Sequence, residues 1–224
     1  MNKLATVAFL AGLSFQAQAV TVSWTDWTAI DIGGGTASGV MNVGGFNINI
    51  DISSSSQLSG ASHIGGASHL WDTGAYTNGS VTNAPTGAQD DHISLNAGGT
   101  VTINFSETVG HVYVAMASWE NQVVDFGQQI SVVSSGPGYY GGTGAYSIIN
   151  GGTTLSTGGN PNGNWHGIVR VDGLSNSLSF THNTENWHGF TLGVVSVSEV
   201  PATMGLFGGA LLLMGAAARR RSGK

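Results

Sequence analysis

The stretch GIVRVDGLSNSLSFT, residues 167–181, sets apolar side chains at every second position on either side of a short break. Period two marks a strand with one buried face. Asp172-Gly173-Leu174-Ser175-Asn176 supplies turn residues between the two arms, so the stretch reads as a β-hairpin. With Asp172 opposite Ser177, Val171 falls opposite Leu178 and Val169 opposite Phe180. A slip of one residue would set each of these against a serine or a threonine.

The same alternation recurs outward from this point. Strands are expected at 20–27, 46–52, 91–95, 100–105, 111–119, 128–135, 145–150, 167–172, 177–181 and 189–197, and no long helical period interrupts them. Asn96-Ala97-Gly98-Gly99 and Asn150-Gly151-Gly152 separate neighbours. The pattern predicts an all-β fold, an antiparallel β-sandwich of jelly-roll type. The polar segment 53–89 reads as an elaborated loop.

Both ends depart from this pattern. MNKLATVAFLAGLSFQAQA (1–19) has one cation, Lys3, then an apolar run, then Ala17-Gln18-Ala19. These are the parts of a secretory signal peptide, an apolar helix with cleavage after Ala19. Residues 20–199 then form an extracytoplasmic domain, and 200–224 a terminal segment. In that segment Thr203 to Ala218 are sixteen uncharged residues, followed at once by Arg219, Arg220 and Arg221. This reads as a short transmembrane helix whose arginines stay on the cytoplasmic side of the inner membrane.

Charge narrows the function further. Between residues 20 and 200 Arg170 is the one cation against twelve carboxylates, a formal charge of −11. Such a body cannot neutralise phosphates, which excludes nucleic acid as a partner. The chain has no cysteine, which excludes thiol catalysis and cysteine-ligated metals. His63, His69, His92, His111, His166, His182 and His188 form no H-x-H or H-E-x-x-H pattern, so no metal centre is expected from them. Asp90-Asp91 could take Ca²⁺ together with carbonyl oxygens, although the D-x-D-x-D-G pattern is missing.

Asn-Trp-His-Gly occurs twice, at 164–167 and 186–189. The period-two face assignment turns Trp165 inward with the valines and His166 outward. In the second copy His188 shares the inner face with Phe190, and Trp187 points out. A duplicated catalytic site would repeat its orientation; this one inverts. Trp187, Glu185, Asn183 and His166 therefore form a candidate sugar-binding set, in which an aromatic face stacks on a pyranose and polar groups bind its hydroxyls. Trp71, Tyr139 and Tyr140 offer further aromatics in loops. Glu107, Glu120 and Glu185 lie in separate segments, so no hydrolytic carboxylate pair stands out. SSGPG (134–138) lacks the order of a nucleophile elbow and reads as a loop. No catalytic residue is assigned.

The order Val200-Pro201, short apolar helix, Arg219-Arg220-Arg221 resembles the PEP-CTERM sorting signal, with Ala202-Thr203 where the family usually has Glu-Pro. VTINFSETV, ISVVSSGPGYYGG and LSFTHNTENWHGFTLGV resemble an uncharacterised β-domain found in such proteins. The resemblance implies a Gram-negative, exopolysaccharide-producing source and an exosortase-type enzyme as partner. It also implies a final position at the cell surface or in the biofilm matrix. From the residues, no cofactor is expected beyond the Ca²⁺ that Asp90-Asp91 could take. The expectation is an exported, non-catalytic surface protein that binds exopolysaccharide. The alternative is an extracellular glycan-active enzyme, a hydrolase or lyase.

Overall fold

The computed structural model describes residues 19–62, 70–85, 91–142, 145–158 and 163–195. The signal peptide up to Gln18, the terminal segment from Val200, His63, His69 and Asp90 lie outside the described residues. Ala19, the expected cleavage position, is described and exposed.

The chain is all-β, built into one large antiparallel sheet. Its strands are β1 (Ser23–Trp24), β2 (Asp26–Asp31), β3 (Thr36–Val43), β4 (Phe46–Ser54), β5 (Gly60–Ser62), β6 (His92–Leu95) and β7 (Gly99–Trp119). They continue with β8 (Val123–Asp125), β9 (Ile130–Ser135), β10 (Tyr146–Ile149), β11 (Thr154–Thr157), β12 (Trp165–His182) and β13 (His188–Val194). Among the described residues helix is confined to two single 3₁₀ turns, Gly74–Tyr76 and Asn150–Gly152. Among the described residues no helix is long and apolar enough to cross a membrane.

Two long strands organise the rest. β7 has 21 residues and β12 has 18, and they pair antiparallel along their length. Both bend midway: residues 105–108 of β7 stand opposite Asn176 alone, and the register shifts again between Val171 and Leu174. His111, at the bend of β7, takes φ 38°, and Gly173, at that of β12, takes φ 113°. On one side of the bend β7 pairs with β4, which carries β3 and β2, while β12 meets β8, which carries β11 and β10. On the other side β7 pairs with β13, which carries β6 and β1, while β12 pairs with β9.

Residues 167–181 are thus not a hairpin. Val171 pairs with Val112 and Leu178 with Ile103, both on β7, and the expected turn is the bend of a continuous strand. Segments 100–105 and 111–119 likewise join into β7.

Burial follows the bend. Residues 101–105 alternate buried and open, whereas 112–119 are buried throughout. The main core takes Ile50, Ile52, Ile103 and Phe180 from one half of the sheet and Val114, Met116, Trp119, Trp165, Val169, Phe190 and Leu192 from the other. The outer face of the second half is also covered. Leu70, Trp71, Ala75, Tyr76 and Val81 close over Tyr113, Ala115, Ala117 and Ile168 as a second core. The described part of segment 53–89 is therefore packing and strand as well as loop, and Trp71 is buried instead of displayed.

Trp119 sits where the first core meets the site described below. It is fully buried, and its Nε1–H donates to the Gly189 carbonyl at 2.8 Å. Trp119→Ala should lower stability by about 3–5 kcal/mol, the cost of an unfilled indole-sized hole, read as a shift of the urea midpoint.

Candidate functional site

The two Asn-Trp-His-Gly copies flank the same strand end. β12 enters with Trp165 opposite Trp119 of β7, and β13 enters on the other side with Gly189 opposite Ala117. Their orientation inverts: Trp165 lies in the main core, and Trp187 packs on the second. In both copies the glycine lets the preceding indole lie along the strand. A Cβ on Gly189 would stand 3.1 Å from the Trp187 ring, and one on Gly167 would stand 2.8 Å from that of Trp165. Residues i and i+2 share a strand face, so Trp-x-Gly gives a wide ring room to lie flat.

The asparagines of both copies reach one cleft. Asn164 and Asn186 line it with Ser118, Glu120, Tyr140, Glu185 and Trp187, around a volume of ≈ 290 Å³. Tyr140 and Trp187 meet edge to face at 5.3 Å, and Tyr140 is 52% exposed. The Trp187 indole is fixed from behind, donating to Ser94 Oγ at 3.1 Å and abutting His92. Asn164 accepts from Ser118 Oγ and donates to the Tyr140 carbonyl, tying the Gly-Pro loop to β12. A second, shallower hollow of ≈ 250 Å³ lies against Glu185 and Asn186, lined also by Asn96, Ala97 and Thr184.

Glu185 is the best-held polar group here. Both its oxygens accept from the Glu120 backbone N–H at 3.2 Å, and its own N–H donates to the Asn96 carbonyl. Beneath it two buried imidazoles form a chain. His182 Nδ1 lies 3.2 Å from the Asn183 carbonyl, which can only accept, so the proton sits on that nitrogen. The same N–H faces His188 Nε2 at 3.0 Å. His188 therefore carries its proton on Nδ1, which lies 3.4 Å from Glu185 Oε2 without hydrogen-bond geometry.

Burial decides the charges. It holds His188 down to about 3, with neighbouring His182 adding to the effect, and it lowers His182 too. It pushes the Glu185 carboxyl up to about 7; the Glu120 charge adds to this, while the Glu120 N–H and the Gln122 side chain oppose it. The Glu185–His188 contact is thus not an ion pair.

The candidate residues named from sequence divide. Glu185 and Trp187 line the cleft; Asn183 is exposed beside it, its N–H donating to Gln122 Oε1. His166 does not belong with them. It is fully buried, accepts at Nδ1 from the Ser118 N–H, and is covered so closely by Gly138 that a Cβ there would collide with its ring. Its period-two face does point away from the main core, but the Gly-Pro loop and Tyr76 occupy that side. Asp91 uses Oδ2 to accept from the Trp27 N–H. Among the described residues no group of three His, Cys, Asp or Glu is placed to hold a metal.

Sequence reasoning missed Glu120 as a partner of Glu185, and Asn164 and Asn186 as wall residues. The repeated asparagine was the available signal. A larger hollow of ≈ 480 Å³, lined by Asp31, Asp51, Asn104 and residues of β2–β4, has no aromatic among the described residues of its wall. Comparisons with family models, with curated proteins and with solved structures returned no match.

The buried imidazoles make stability fall with acid. His166, held down to about 4, behaves as His182 and His188 do. Their folded pKa values lie below the unfolded 6.5, so their contribution is complete above 6.5 and is lost as pH falls towards the folded values. Each such histidine costs up to roughly 1.4 kcal/mol per pH unit in that window. Glu185 runs the other way, its contribution complete below its unfolded value and lost as pH rises towards about 7. Three groups outweigh one, so the urea midpoint should drop between pH 6.5 and 4.5. His188→Gln should flatten that slope.

Proposed function

We propose that this chain is an exported surface protein, associated with the cell envelope or an extracellular matrix, that holds polysaccharide in the Trp187–Tyr140 cleft. One observation carries the reading: two aromatic rings, two carboxylates, two amides and a hydroxyl line one open cleft supported by buried side chains. Aromatic faces with hydrogen-bonding groups around them fit the mixed apolar and polar surface of a sugar ring. The adjoining hollow shares Glu185 and Asn186, which suits a chain of sugars over a single one.

The sandwich of jelly-roll type belongs to the same proposal, supported by two half-sheets contributing to a shared core. So do export through residues 1–19 and sorting through Val200, Pro201 and Arg219–Arg221 by an exosortase-type enzyme, supported by their order in the sequence.

The second reading is a glycan-active enzyme. Glu120 and Glu185 line the same cleft, and burial that pushes one carboxyl up to about 7 is a way to make it a general acid.

Trp187→Ala and Tyr140→Ala should each weaken retention in affinity gels containing the producing cell's polysaccharide by tenfold or more, with little change in Tm for Tyr140→Ala. Unchanged retention in both would remove the cleft from the account. Steady release of reducing ends or unsaturated products by the parent protein, abolished in Glu185→Gln, would move the assignment to the enzyme.

A further inference from the structure

We propose that the cleft selects a polysaccharide bearing free amino groups, a polymer of deacetylated hexosamine, over neutral and acidic ones. The inference rests on the polysaccharide-binding reading above and adds the charge of the ligand.

Among the described residues the cleft wall has two carboxylates, Glu120 and Glu185, and no cation. Nor is a cation at hand elsewhere in the body: Arg170 is the one available, and its Nε donates to Asp172 Oδ1 at 2.7 Å. A uronate, sulfate or phosphate on the sugar would meet like charge with nothing to neutralise it. Acidic polysaccharides are therefore rejected.

Discrimination between neutral and cationic sugars comes from Glu185. Its side chain is 14% exposed, and the basic group against it among the described residues, His188, is fully buried. Burial keeps that imidazole uncharged, so the protein brings no counter-charge to Glu185 from inside. The Glu120 N–H is a neutral donor, and Glu185, held up at about 7 by burial, is part-ionised at pH 6.5 until an arriving ammonium favours its ionised form. A carboxylate so far removed from water, with a second carboxylate beside it, gains most from an external cation. An ammonium on a sugar ring would meet Glu185 and Glu120 while the ring lies on Trp187 or Tyr140, whose π faces also attract cations. Acetylation turns that ammonium into a neutral amide and removes the gain.

The experiment is calorimetry on the purified protein at pH 6.5 with four probes: the β-1,4-linked glucosamine hexamer, the N-acetylglucosamine hexamer, hexagalacturonate and spermidine. The glucosamine hexamer should bind at least tenfold more tightly than the acetylated one, and hexagalacturonate should give no heat of binding. Spermidine, which has the ammonium groups without the sugar, should bind at least tenfold more weakly than the glucosamine hexamer. Glu120→Gln and Glu185→Gln should each cut the ratio of amino-hexamer to acetylated-hexamer affinity to threefold or less, the ratio and not either affinity alone being the readout. Glu120 is the safeguard if Glu185→Gln disturbs folding. Equal or tighter binding of the acetylated hexamer overturns the charge selection and leaves the polysaccharide reading standing. Spermidine binding as tightly as the amino hexamer overturns the sugar. Failure of both amino and acetylated hexamers to bind overturns the amino-sugar selection, and retention in the affinity gels described above then decides the polysaccharide reading separately.

Discussion

The pairing of β7 with β12 is the constraint on which the remaining structure depends. Two strands of 21 and 18 residues run side by side, bend together, and offer different edges on either side of the bend. Every other strand is attached, directly or through one or two neighbours, to one of those edges. The bend must be local and sharp, and the backbone shows where it is made, at His111 and Gly173, both with positive φ. Such conformations cost little for glycine and more for histidine, so the second half of β7 is held in place by what packs around it. The chain has no cysteine, so packing and hydrogen bonds hold it, among them the Gly173 N–H to His111 Nδ1 at the bend.

The cleft is a consequence of where β7 stops. Past Trp119 the strand can no longer separate its neighbours, and the starts of β12 and β13 face each other across its end. Each start brings an asparagine, an indole and an imidazole, with the indoles and imidazoles exchanged between faces. One indole and one imidazole from the pair go inward as packing. The outward indole lines the cleft, where Glu185 is held by the Glu120 N–H. Trp119 and the two histidines under Glu185 form an aromatic floor in which Trp119 and His188 lie 4.4 Å apart. A floor of neutral rings excludes water and keeps the carboxylate above it under-solvated.

Much of this could be read from residues and much could not, for definite reasons. Alternation identified the strands of both long elements and assigned Trp165, His188 and Phe190 to the inner face, since period two needs only local information. The hairpin at 167–181 failed because apolar matching tests phase, not partnership. Val171 satisfies it against Val112 as well as against Leu178, and Gly173 serves a bend as readily as a turn. β3 was missed where TASGVMNV carries a glycine and small polar residues, and β11 where Thr154–Thr157 is a single short run. His166 was placed on the correct face and the wrong side of solvent, because nothing local shows that Gly138 and Tyr76 cover it. Glu120 and Glu185 are 65 residues apart, and only the β7–β13 pairing brings their segments together.

The place of β13 in the sheet has a consequence for how the molecule comes to be folded. It is the last described strand in the chain, yet it lies inside the sheet, between β7 and the strands β6 and β1. Ser23 near one end pairs with Val194 near the other. A chain emerging from its N-terminus therefore leaves β7 with a bare edge, and the main core without Phe190 and Leu192, until residue 194 has appeared. Contacts of such long sequence separation close slowly. Closure of the main core is thereby deferred until β13 has been made.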